Sequence, residues 1–252
     1  MLRRLVLKPG KVEQSLKKRI EAGEKLFFLL SDPEDPLDPS IVKRFEEGGA
    51  DALLVGGSLN ITPQDIDNYI DSLRRSGIRL PIILFPGGLN NLSSRADAIF
   101  FMSLLNSLDT YWIIGAQLAA ALLVRRMGLE AIPTAYVIIG HGGAAGHVGR
   151  ALPIPYENTY IVASYAAAAE LLGYRFIYLE AGSGAPKPVP AEAVSYARRA
   201  TEEAVIIVGG GIRSEEKAIE LLSAGADAIV IGTLAEKNPP KALQVLDAVK
   251  KR

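Results

Sequence analysis

Apolar positions along the chain recur in short runs, each followed by a Gly-, Pro- or Asp-rich break and then by an amphipathic stretch. The runs are Lys25–Leu30 (KLFFLL), Asp51–Ser58 (DALLVGGS), Pro81–Gly88 (PIILFPGG), Ala98–Met102 (AIFFM), Ile132–Gly140 (IPTAYVIIG), Tyr174–Glu180 (YRFIYLE), Ala204–Gly211 (AVIIVGGG) and Ala226–Thr233 (ADAIVIGT). Continuous apolar runs of this length read as strands buried on both faces, as in a parallel sheet. Between them lie helix signals. Asp38 precedes Pro39, Thr62 precedes Pro63 with Asp65 three residues on, and Ser214 precedes an acidic first turn. Helices are predicted over Thr110–Met127, Tyr160–Leu172, Pro190–Thr201 and Pro240–Lys250. Eight strands alternating with helices, and no linker between them, predict one (β/α)8 barrel domain spanning residues 1–252. A doubly wound open sheet is the competing arrangement, and a two-domain split fits less well.

Composition narrows this picture. Apolar residues make up 49% of the 252 residues and aromatics only 7%. The core is therefore mainly Ala, Val, Ile and Leu. The formal net charge is zero, which gives no broad electrostatic case for nucleic acid. The absence of Cys excludes disulfides and thiolate metal sites and fits a cytoplasmic protein. The apolar stretch Ala98–Val124 is split by Asp109 and closed by Arg125 and Arg126, so neither half reaches the roughly 18–20 residues of a membrane span. The basic N-terminal helix LKPGKVEQSLKKRIEAGEK reads as a solvated face, with peripheral membrane contact the most it could add.

Chemistry in such a barrel gathers at the C-terminal ends of the strands. Gly209, Gly210 and Gly211 after the seventh strand, with Gly232 and Thr233 after the eighth, are positioned as a phosphate cradle of backbone N–H groups. The plainer alternative is that they only make tight turns. Arg213 is expected to pair with neighbouring acids. Glu180 ends the sixth strand and is followed by Gly182, Ser183 and Gly184. Inside the mouth it would act as a general base. At the rim it would be a solvated acid or a partner of Lys187. Asp32 and the hydroxyl of Ser58 could hold Mg2+, although Asp32-Pro33 is also an ordinary turn. His141 and His147, six residues apart, have no recognised ligand spacing and read as part of a mobile loop over the mouth. Tyr111 and Trp112 read as core or subunit-interface anchors.

Taken together, YLEAGSGAP, IVGGGIR, LLSDPED, LVGGS, PIILFPG and ADAIFFMSLLNS…YWIIGAQ resemble the archaeal geranylgeranylglyceryl phosphate synthases, in order and from about Lys25 to Thr233. The long FFMSLLNS…YWIIGAQ block is similar to the larger, oligomeric group of that family, so a homo-oligomer, dimer or hexamer, is implied. The resemblance implies ether-bond formation between the 3-hydroxyl of sn-glycerol 1-phosphate and geranylgeranyl diphosphate, with release of pyrophosphate. It implies an acceptor site running through Tyr178, Leu179, Glu180, Ala181, Gly182, Ser183 and Gly184, with Gly209, Gly210, Gly232 and Thr233. Glu180 would take the hydroxyl proton, and Asp32 and Ser58 would hold the Mg2+ that binds the donor diphosphate. The segment GHGGAAGHVGRALPIPYENTY departs from the family's pattern. Two other readings share the phosphate cradle: a phosphosugar-handling barrel of the isomerase type, and a non-catalytic phosphometabolite-binding oligomer. An aldolase would need a Schiff-base Lys at a strand end, and the eight runs offer none.

Overall fold

In the computed structural model, which describes residues 8–57 and 60–252, eight parallel strands close into a barrel in chain order. They are β1 (Leu26–Ser31), β2 (Ala52–Val55), β3 (Ile82–Leu84), β4 (Ala98–Leu104), β5 (Glu130–Ile138), β6 (Phe176–Glu180), β7 (Val205–Gly209) and β8 (Ala228–Ile231). β8 returns to pair with β1, Phe27 beside Ile229. The helices are α1 (Lys11–Glu21), α2 (Pro39–Glu47), α3 (Pro63–Arg75), α4 (Ala116–Met127), α5 (Gly143–Val148), α6 (Ile161–Leu171), α7 (Ala191–Arg199), α8 (Glu215–Ser223), α9 (Thr233–Lys237) and α10 (Pro239–Lys250). The expected caps form. Asp38 accepts from Ser40 N, Thr62 and Asp65 make a reciprocal capping box, and Ser214 accepts from Lys217 N.

Strand alternation produces two cores. Leu26, Phe28, Leu54, Ile83, Phe100, Tyr136, Phe176, Tyr178 and Ile207 point inward and fill the barrel. Phe27, Leu29, Leu53, Ile82, Val137, Ile177, Leu179, Ile206 and Ile229 point outward and pack under the helices. The N-terminal helix has a different role from the solvated face expected of it. Leu16 of α1 is buried and packs with Val12 and Ile20 against the inner core, so α1 stoppers the N-terminal end of the barrel. Its first turn is fixed by Glu130, which accepts from Val12 N at 2.9 Å and Glu13 N at 2.8 Å. Glu13 is fully buried and forms a two-bond pair with Arg175 at 2.5 and 2.7 Å.

One layer of the helical ring is missing. Between β3 and β4 the chain makes only a 3-10 turn, Leu89–Asn91. No helix from that interval packs over Ile99 and Phe101 on the outward face of β4. The predicted helix over Thr110–Met127 begins as a π-turn, Tyr111–Gly115, before α4 proper. Among the described residues no helix is long and apolar enough to cross a membrane.

Glu13 is buried while the Arg175 side chain keeps 23% of its exposure, and that asymmetry sets the order of two substitutions. Arg175→Met strands a buried carboxylate and should cost about 3–5 kcal/mol in chemical denaturation. Glu13→Gln leaves a cation that reaches water and should cost clearly less. Equal or reversed costs would show that the pair does not hold α1 in place.

Candidate active site

A cavity of about 670 Å³ opens at the C-terminal end of the barrel. Its polar end is built from the turns after β6, β7 and β8. Glu180 stands at an inward position of β6, beside Ile138 of β5 and Gly209 of β7. The side chain is buried, 6% exposed. One carboxylate oxygen accepts from Gly182 N at 2.5 Å, and the hydroxyls of Tyr136 and Tyr178 face it. Burial pushes its pKa above the ordinary carboxylate value, against the Gly182 N–H bond and the two facing hydroxyls, which pull it down. The same burial, together with the Glu180 charge, pushes both tyrosines well up. Among the described residues no cation lies within ion-pair distance of Glu180; Lys187 does not pair with it.

The glycines explain how an acid fits there. Gly210 has φ +81°, and a Cβ on it would lie 2.3 Å from the Glu180 Oε1 and 2.6 Å from Gly182 N. Only glycine satisfies both the backbone and the space. At Gly209 a Cβ would meet the Tyr178 hydroxyl at 2.1 Å. The turns also join one another. Ser183 Oγ lies 3.0 Å from Thr233 Oγ1, and the Arg213 guanidinium donates to the carbonyls of Gly184 and Ala185 at 3.1 and 2.9 Å. Arg213 thus props the loop that follows Glu180, where a pairing with acids was expected.

Of the expected site residues, Tyr178, Glu180, Ser183, Gly184, Gly210, Gly232, Thr233 and Asp32 line the cavity. Leu179 and Ala181 do not. Strand alternation turns both outward, and both are fully buried among the outer-core residues. Gly209 lies under the Tyr178 ring, and Gly182 serves the site through its N–H on Glu180. Ser58 lies outside the described residues. Asp32 is half-buried, accepts from Glu34 N at 3.0 Å, and has its pKa raised by burial and by Glu34 and Asp35. Both its oxygens occupy the space a Cβ on Gly57 would fill, 2.3 and 2.4 Å away. Glu236 of α9 shares this rim and is raised by burial and by Asp32 and Asp35.

Several lining residues had no sequence assignment. Leu89, Leu92, Ile99, Phe101, Ala116 and Ala120 form an apolar arm through the gap in the helical ring. The signal was present: the interval from Leu84 to Ala98 (FPGGLNNLSSRAD) is rich in Gly, Asn and Ser and carries no helical period, and β4 is apolar on both faces. Trp112 lines the cavity, whereas Tyr111, its edge-on neighbour at 5.0 Å, is 40% exposed; the pair is divided between cavity and surface. The glycine-rich segment after β5 contains the helical turn α5, and Ala144, Ala145 and Val148 lean into the cavity. His141 and His147 are both exposed. Among the described residues no three His, Asp or Glu side chains gather as a metal cluster.

The arrangement is a phosphate-sized polar turn cluster, a buried unpaired carboxylate and a long apolar arm in one cavity. Comparison with known proteins points the same way. The PcrB family model matches residues 18–251. The geranylgeranylglyceryl phosphate synthase of Hyperthermus butylicus is 66% identical over 238 residues, covering 94% of this chain and 99% of that one. The enzyme of the same name from Sulfolobus acidocaldarius is 46% identical over 245 residues, covering 96% and 95%. The crystal structure of (S)-3-O-geranylgeranylglyceryl phosphate synthase from Thermoplasma acidophilum, in complex with its substrate sn-glycerol-1-phosphate, superposes with a TM-score of 0.91 at 36% identity, covering 97% of this chain and 100% of that one. The chain belongs to the PcrB family, in the company of its geranylgeranylglyceryl phosphate synthases.

Proposed function

We propose that this cavity joins geranylgeranyl diphosphate to the 3-hydroxyl of sn-glycerol 1-phosphate, forming an ether at the start of archaeal membrane-lipid synthesis. The observation that carries the reading is the continuity of the cavity, from the glycine turns through Glu180 to the apolar arm across β4. A phosphomonoester suits the polar end, because Gly210, Gly211, Gly232 and Thr233 offer backbone there with no bulky side chain in the way. An isoprenoid tail suits the arm. The acceptor alone would leave the apolar arm without a use.

In the step itself, the bond between C1 of the donor and its diphosphate oxygen breaks, and the electron pair leaves with the oxygen. The acceptor hydroxyl forms the new C–O bond and loses its proton to Glu180. A carboxylate with a raised pKa is a stronger base than an ordinary one, and it is aimed by the Gly182 N–H and two tyrosine hydroxyls. Mg2+ belongs to this reading. Asp32 fits it as a half-buried oxygen donor crowded by Glu34 and Asp35, and Ser58 is carried over from the sequence. The ion would supply neutralisation of the leaving diphosphate.

The reading also keeps the cytoplasmic location drawn from the sequence, and a homo-oligomer. Ile114, Leu118 and Leu122 are 61%, 78% and 65% exposed at helical spacing along the π-turn and α4. A helix apolar on its outer as well as its inner face calls for a cover, and a second copy is the cover proposed.

Glu180→Gln should lower kcat for prenyl transfer by about 10²–10⁴-fold and leave sn-glycerol 1-phosphate binding by calorimetry little changed. Full activity would remove Glu180 from the chemistry. In the unsubstituted protein the rate should rise with pH through a midpoint above the ordinary carboxylate value of 4.5, because burial favours the protonated form. The stability prediction has the same sign. Below the ordinary value the group is protonated whether folded or unfolded and contributes nothing. Above the raised value the fold carries the cost of a buried charge. The melting temperature of Glu180→Gln should therefore gain on the unsubstituted protein as pH rises through that window; a gap that narrows would mean the carboxylate is stabilised where it sits. Replacing Leu118 and Leu122 together by Arg should reduce the mass measured by light scattering to that of one chain, and an unchanged mass would move the interface elsewhere.

A further inference from the structure

We propose that the ring of Phe85 is the surface over which the positive charge develops on the allylic carbon, a catalytic contact distinct from the base and from the phosphate turns. The inference rests on the prenyl-transfer reading. Three aromatic rings form the floor of the cavity below Glu180. Tyr136 and Tyr178 stand side by side in the β5–β6 register with centroids 5.1 Å apart. Phe85, immediately after β3, closes the triangle at 5.8 Å from Tyr136 and 5.2 Å from Tyr178. The two tyrosines are buried, 7% and 1% exposed. Phe85 is only partly buried and lines the cavity, so it is the ring of the three that keeps open surface there.

Its place on the path of the substrate follows from the two ends of the cavity. The carbon that accepts the hydroxyl must lie within bonding reach of the oxygen next to Glu180, on β6. The chain attached to that carbon must leave across β4, through the arm lined by Ile99 and Phe101. Phe85 lies between them, in van der Waals reach of Tyr178 on one side and of Phe100 on β4 at 6.4 Å on the other. As the bond to the diphosphate oxygen stretches, electron density leaves C1, and positive charge spreads over C1 and C3 of the allylic system. A ring face is electron-rich and attracts that charge without being consumed by it. Glu180 is already assigned the proton, and the floor itself is made of the three aromatic rings.

The ring is also held as a preorganised contact must be. Phe85 N–H donates to Val55 O at 2.9 Å. Gly56 passes so close that a Cβ there would lie 1.8 Å from the Phe85 carbonyl oxygen. Three aromatic neighbours pack around the ring.

Fluorination of the ring tests this directly, because it empties the face of negative potential while nearly keeping its shape. Phe, 4-fluoro-Phe, 3,5-difluoro-Phe and 3,4,5-trifluoro-Phe would be placed at position 85 by nonsense suppression, and single-turnover transfer to labelled sn-glycerol 1-phosphate followed with geranylgeranyl diphosphate. The expected result is a graded fall, reaching about 10–30-fold at the trifluoro ring, with acceptor binding and donor KM unchanged. Phe85→Leu, checked for fold by circular dichroism, should lose at least as much. A flat series with normal transfer would overturn the inference and leave the prenyl-transfer reading standing. No transfer by the Phe85 protein itself would overturn both.

Discussion

Everything at the site depends on closure of an eight-stranded barrel whose interior must be filled. Parallel ladders from β1 round to β8 fix which residues of each strand face in. Packing runs from Leu26 and Phe28 at one level to Tyr136 and Tyr178 below the mouth. The next inward position on β6 is then Glu180. An acid one residue earlier or later would point under the helices. An acid two residues earlier would take the place of Tyr178, buried against Phe85 and Tyr136. The height and direction of the carboxylate are therefore consequences of core packing, not of the loop that follows it.

Closure of the mouth creates a second constraint. A carboxylate held against desolvation needs donors, and the turn after β6 supplies one main-chain N–H while the floor supplies two hydroxyls. Each demands space that side chains would otherwise take. Gly209 makes room for the Tyr178 hydroxyl, Gly210 for Glu180 itself, and Gly182 for the close approach of the segment after β5, where a Cβ would meet Gly143 N at 2.5 Å. The glycines at three strand ends are one packing solution. The proposed phosphate cradle draws on the same bare backbone.

The fold was legible because each strand carries its own apolar run and several helices carry a cap signal; Asp38, Thr62 and Ser214 cap as their sequence context predicts. The polar end of the site was legible because Gly-rich turns and an acid fall at strand ends. Leu179 and Ala181 were swept in with Glu180 because a contiguous motif hides alternation: counting by twos from buried Phe176 would have set them aside. The apolar arm was not legible from motifs, since it is made by a missing element. Ile99 and Phe101 look like ordinary outer-core residues until the ring of helices proves to have a gap beside them. Trp112 was ambiguous for a related reason. A π-turn, which no hydrophobic period announces, decides that its ring turns toward the cavity.

Charge around the mouth is unevenly spread, and the unevenness bears on how the two proposed substrates, both anionic, would share one cavity. Asp32, Glu34, Asp35 and Glu236 line the side formed by β1 and β8. Burial and mutual repulsion raise the pKa of both Asp32 and Glu236, the signature of negative charge in excess of its local compensation. The cations that line the cavity are Arg213, whose guanidinium is engaged by two carbonyls, and Lys237. The glycine turns can take a monoester phosphate through neutral N–H groups, which are indifferent to the acids across the mouth. A diphosphate approaching Asp32 has no such shelter, and at contact distance the repulsion is several kcal/mol at the dielectric of a protein surface. The acidic rim is thus hostile to the donor by itself and attractive to a divalent ion. In the proposed reading, acceptor and donor binding therefore differ in what they require: the first would draw on backbone N–H groups, the second on a cation brought to the carboxylates.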